Sequence, residues 1–181
     1  MSDAKVAHFK TVFAKAKTNL SPEVLDKLAY IHAWHARDDA FGDEVMSKLA
    51  VTECGTFVRP DDGKTLGRIV YEGIVTQDMC NSHGMMHGGC TAFMVDCCTS
   101  IALVIMGLVT GGPVDLVSQS LTTTYHAGAK LGDKIRIVNI STAGGKRAVT
   151  ARAEIWDLTT KRLTATGNHV KMVPSKSDFK L

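Results

Sequence analysis

The chain has 181 residues, 45% of them hydrophobic and 22% charged, with a formal net charge of +3. This is an ordinary globular composition for which one domain is the default; so small a positive excess, with no basic cluster interleaved with aromatics, argues against a nucleic-acid partner. Five cysteines, two of them adjacent at Cys97-Cys98 in an apolar segment, read as reduced core residues, and the N-terminus carries no apolar signal region. We therefore expect a cytoplasmic protein.

Val6, Phe9, Phe13, Ala16 and Leu20 recur at spacings of three and four, the stripe of a helix whose other face carries Lys5, Lys10, Lys15 and Lys17. A basic amphipathic N-terminus is also the pattern of a mitochondrial targeting segment, which makes mitochondria the alternative location. Ser21-Pro22 starts a second helix, with the hydroxyl as N-cap and Pro at the first position. Leu25, Leu28, Ala29, His32 and His35 share one face of it, and the two histidines read as partly exposed packing residues. A third short helix is expected over Asp43 to Leu49. Residues 1–50 thus form an N-terminal helical extension, expected to pack outside a core domain at 51–175.

From Val51 the period changes. Val51 to Arg59 and Leu66 to Thr76 read as strands separated by the turn Pro60-Asp61-Asp62-Gly63. A polar loop with two histidines follows, and at Gly88-Gly89 it becomes an apolar segment running to about Val109 whose one charge is Asp96. By length this segment could span a membrane. A charge near its middle costs roughly 2.5–3.5 kcal/mol there, and no positive charge flanks it, so we read a buried helix. Four more strands follow at Val114 to Tyr125, Lys134 to Thr142, Ala148 to Leu158 and Leu163 to Val173, with a hairpin turn at Gly144-Gly145. Two strands, a long apolar helix and a four-strand meander imply an α+β fold in which an antiparallel sheet wraps around the helix.

The chemistry concentrates at the start of that helix. Its first N–H groups lack internal partners and favour negative charge, while Gly88 and Gly89 let backbone or ligand approach closely. Asp96 lies eight residues on, close to the same face, so a polarising donor and a lone carboxylate are expected to flank one space suited to attack of water on a carbonyl. Burial on an apolar helix would raise the carboxyl pKa and make it a better base. Cys80, His83, His87 and Cys90 offer a zinc-compatible ligand set, but all four crowd into one short stretch, whereas zinc modules join two separated pairs. No G-x-S-x-G elbow is present, and the cysteines lack an electropositive setting, so covalent catalysis is disfavoured.

The pattern Asn81-x5-His87-Gly88-Gly89-x6-Asp96 resembles the hotdog-fold acyl-CoA thioesterases, in the branch holding the phenylacetyl-CoA and mammalian thioesterase-superfamily enzymes. Thr124-Tyr125-x3-Ala129-Lys130-Leu131-Gly132-Asp133 and Thr166-Gly167-Asn168-His169 resemble it too. The likeness implies a hotdog fold, acyl-CoA as substrate, no cofactor and no metal, and a homo-oligomer, a dimer of dimers, with each site shared between subunits. It also implies roles. Asp96 is general base, or less directly nucleophile; the Gly88 N–H polarises the carbonyl; Asn81 places the water or thioester; His87 orients the loop; Ser118 holds the water. His169 and Gly89 face the thioester, and CoA lies near Lys130, Lys146 or Arg147. Two other functions compete. A hotdog hydratase or dehydratase would pair His87 with Asp96, and a non-catalytic module would bind acyl-CoA or zinc.

Overall fold

The computed structural model describes residues 3–35, 40–145 and 147–175; Lys146 lies outside them. The elements run α1 (Asp3–Lys15), β1 (Lys17–Thr18), α2 (Pro22–His35), α3 (Asp43–Met46), β2 (Ala50–Val58), β3 (Thr65–Ile74), a 3-10 turn (Gln77–Met79), α4 (Gly88–Thr110), β4 (Val117–Tyr125), β5 (Lys134–Gly144), β6 (Ala148–Asp157) and β7 (Arg162–Met172). The strands form one sheet in the order β1-β2-β3-β5-β6-β7-β4. All neighbours are antiparallel except β1, which runs parallel to β2.

The alternation read from the sequence is the alternation that folds. Val149, Ala151, Ala153 and Ile155 of β6 are all buried, as are Ile135 and Ile137 of β5, and they line the sheet face that α4 crosses. The helix comes so close to β7 that a side chain at Gly167 would collide with Val95. Gly111, at φ 70°, ends α4, and the Gly112 N–H returns to the Gly107 carbonyl. By length and composition α4 could cross a membrane, but most of its apolar stretch is buried within this chain.

The N-terminal helices are not peripheral. Phe13, Leu28, Ala29 and Ile31 are fully buried in the same apolar cluster as Met94 and Ile105. The reason is α4 itself: it is apolar all round, the sheet covers one side, and α2 packs against another. The first helix also stops earlier than its stripe, because the chain turns out at Ala16 to add β1 to the sheet. There Asn19 acts as a surrogate strand: its Nδ2 donates to the Thr56 carbonyl at 2.8 Å and its Oδ1 accepts the Thr56 N–H at 2.9 Å. One sheet edge is thereby closed. The other edge, β4, is exposed along nearly its whole length.

Candidate active site

Asp96 sits midway along α4, with its side chain 42% exposed in the single chain. Its Oδ1 lies 3.4 Å from Ser118 Oγ and 3.5 Å from His169 Nε2. Ser118 reaches it because β4 bulges between Ser118 and Ser120, which re-aims the strand end toward the helix. His169, fully buried on β7, is held at both nitrogens: Nδ1 is 2.7 Å from Thr99 Oγ1, and Nε2 is 3.0 Å from Ser118 Oγ. Thr99 has one hydroxyl proton and gives it to the Val95 carbonyl at 2.6 Å. Ser118 likewise has one hydroxyl proton, and it donates to Asp96 Oδ1 at 3.4 Å. Burial, reinforced by the nearby Lys171 charge and opposed by Asp96, holds the imidazole below its ordinary range and so neutral. Lys171, two residues along the same face of β7, donates to Ser100 Oγ at 2.8 Å, and Ser100 donates to the Asp96 carbonyl at 2.8 Å.

Gly88 marks the other end. His87 is the N-cap of α4, and its Nδ1 accepts the Gly89 N–H at 2.9 Å. The Gly89 donor is thus spent within the chain, while Gly88, as first helical residue, has no intrahelical acceptor for its own N–H. Tyr125 donates to the Gly88 carbonyl at 2.8 Å and pins the helix start to the end of β4. Asn81 is a loop organiser: its Oδ1 accepts the N–H groups of His83 at 2.9 Å and Met85 at 3.2 Å. Lys130 lies against the same loop, bridged to Met85.

These two groups do not share one space within a chain. Eight residues of helix separate Gly88 from Asp96, a rise of about 12 Å. The spacing argument placed them on nearby faces, but the rise along the axis decides, and one thioester carbonyl cannot touch both. The same rise keeps His87 away from Asp96. Arg147 is distant as well, at the β5–β6 hairpin, which sits by Met106 at the far end of α4 from Lys130. Among the described residues, no three His, Cys, Asp or Glu side chains converge as a metal site, and the Cys80/His83/His87/Cys90 set does not assemble. Burial raises the Cys90 thiol to about 11 and Cys97 to about 12, which leaves both protonated and unreactive.

A cavity of about 330 Å³ opens beside Asp96, walled by Ser118, Lys171, Phe93 and Ile101 and by Phe41 and Met46 of the N-terminal extension. Phe93 packs edge-on to Phe41 at 5.3 Å and fills the space over Gly42, whose φ of 74° suits glycine. Thr99, Ser100, Tyr125 and Lys171 carried no assigned role in the sequence reading. Lys171 was detectable, since it shares a strand face with His169, and Ser100 lies one helical turn beyond Asp96.

The Thioesterase superfamily profile matches residues 83–164, which span the loop, α4 and the strands through β6. Mouse acyl-coenzyme A thioesterase 13 is 34% identical over 104 residues, covering 58% of this chain and 71% of that protein. The solved structure of zebra fish thioesterase superfamily member 2 is 28% identical and covers 80% of this chain and 94% of its own, with a TM-score of 0.64. The E. coli PaaI protein, at 15% identity, shares the fold across 83% of this chain and 96% of its own, with a TM-score of 0.61. Sheet and wrapped helix are those of a hotdog-fold protein. The chain belongs to the thioesterase superfamily and is a thioester hydrolase.

Proposed function

We propose that this chain hydrolyses acyl-coenzyme A thioesters to a free acid and CoA, with each active site shared by two subunits. The observation that carries it is the Asp96–Ser118–His169 network opening on an apolar cavity. The relative named for acyl-coenzyme A hydrolysis supports the substrate class.

Water is a poor nucleophile at neutral pH and needs a base. Asp96 takes a proton from water as its oxygen bonds to the thioester carbon. Ser118, whose hydroxyl donates to Asp96, presents an oxygen lone pair to a water hydrogen beside the base. The negative charge moves onto the carbonyl oxygen, where a backbone N–H at a helix start stabilises it; such donors are worth roughly 3 kcal/mol of barrier. The C–S bond then breaks, and the departing thiolate takes the proton from Asp96. No metal or covalent intermediate is required, because a thiolate leaves readily.

The donor is Gly88 of a second subunit. The exposed β4 edge supports this arrangement. Two copies pairing β4 edge to edge about a two-fold axis run antiparallel, so the Ser118 end of one strand meets the Tyr125 end of its partner. Ser118 is tied to Asp96, and Tyr125 to Gly88. Antiparallel pairing thus brings the base of one chain toward the helix start of the other, and closes the second open edge. It also covers the exposed side of Asp96.

Thiol release from acyl-CoA by wild type and its loss in Asp96→Asn tests the reading. Loss of enoyl absorbance with no thiol released would instead indicate a hydratase.

A further inference from the structure

Two cavities meet beneath the N-terminal helices. The first, of about 330 Å³, is the one beside Asp96. The second, of about 560 Å³, lies among α1, α3 and the β2–β3 strands, with Phe9, Val51 and Tyr71 in its walls. The two share His32, Asp43 and Met46. These three residues are therefore the partition between them.

Two members of the partition are anchored. Asp43 stands 4.0 Å from the Lys5 ammonium, and its N–H donates to the Ala40 carbonyl. His32 is buried, with Nε2 at 3.3 Å from the Tyr71 hydroxyl and its ring 4.3 Å from that of Phe9. Burial also lowers its pKa to about 4, so it puts no charge at the cavity end at neutral pH. Met46 is different: unbranched, with three rotatable bonds and no hydrogen-bonding anchor, it fills the remaining gap by packing alone.

We propose that Met46 is the stop that sets acyl-chain length. This rests on the thioesterase reading above. The thioester carbonyl lies at Asp96, the acyl group runs past Phe93 and Ile101, and its far end meets Met46. The first cavity, about 330 Å³, is the smaller of the two. The substrate class is accordingly a short- to medium-chain or aryl acyl-CoA. Opening the partition would more than double the space, since the second cavity is the larger.

The test is thiol release from butanoyl-, octanoyl-, palmitoyl- and phenylacetyl-CoA by full-length wild type, Met46→Ala and Met46→Trp. Wild type should favour the first, second and fourth esters over palmitoyl-CoA. Met46→Ala should raise kcat/KM for palmitoyl-CoA about tenfold or more, since each methylene accommodated in an apolar pocket carries a gain of that order. The value for butanoyl-CoA, whose chain is too short to reach the stop, should change much less than the palmitoyl value. Met46→Trp, the opposite volume change, should lower the octanoyl value and keeps the test decisive should Met46→Ala fail to fold. A wild type that prefers palmitoyl-CoA overturns the stop. So does a length profile unmoved in folded Met46 variants; if Asp96→Asn has lost turnover in the same assay, the thioesterase reading survives. No thiol release by wild type from any ester overturns that reading and the stop together.

Discussion

Gly88 and Asp96 stand on one helix, eight residues and about 12 Å apart along its axis. On the proposed function, each is half of a site. Asp96 has its helpers Ser118 and His169 within 3.5 Å, and Gly88 is pinned by Tyr125 at the other end of the same edge strand. In the proposed dimer the helix would then serve two sites, one at each station.

Asp96→Asn keeps the side-chain shape and removes the base. Turnover should fall by about a hundredfold to ten-thousandfold, the range for losing a general base, while KM changes little. Thiol release under saturating acyl-CoA measures it. Ser118→Ala, which leaves the base in place, should lose less than Asp96→Asn in the same assay.

Gly88→Pro removes one N–H and little else. Proline is favoured at the first helical position, and His87, at φ −65° and ψ 136°, already has the extended conformation that a following proline demands. An added Cβ would meet Tyr125 only at 3.4 Å, an ordinary contact. We expect kcat to drop by about a hundredfold to a thousandfold, as for loss of one oxyanion donor, with thermal stability kept. Steady-state kinetics beside a melting curve checks both.

Much of this was readable from residues. Alternation located β6, Ser21-Pro22 opened α2, and the His-Gly-Gly step opened α4. What escaped reading depends on tertiary position. β1 is two residues long and has no pattern to detect. The bulge that turns Ser118 toward Asp96 is a register event between strands, invisible along either one. The N-terminal helices read as peripheral because the sequence does not state which side of an all-apolar helix they will cover. Spacing along a helix tells which residues share a face, but the rise along the axis is what separates Gly88 from Asp96.

Acid should destabilise the fold through His32. Its folded pKa is lowered to about 4 by burial, against 6.5 for the free group. The unfolded chain therefore binds a proton as pH falls below 6.5, and the folded chain does not until about 4. Stability is fully present above 6.5 and is lost on the way down to about 4, at roughly 1.4 kcal/mol per pH unit for this one group. His169, lowered for the same reason, adds in the same direction. Urea unfolding across this window should show the slope, and His32→Gln should flatten it.

Asn19→Ala should reopen the closed sheet edge. It deletes two hydrogen bonds to Thr56, a loss of about 1–3 kcal/mol, and leaves the active site untouched. Denaturant midpoints should fall while kcat holds. An equal loss of kcat in the folded variant would mean that this edge also serves catalysis.

Co-expression of Asp96→Asn with Gly88→Pro probes whether two subunits share each site. Each variant alone should have lost most of its turnover. In a hybrid, one site receives both lesions and the other receives neither. Random pairing makes half the dimers hybrid with one intact site in two, so about a quarter of wild-type activity should return. Activity that stays at the level of the separate variants, with hybrid dimers shown to be present, would place both groups in one chain and contradict the account.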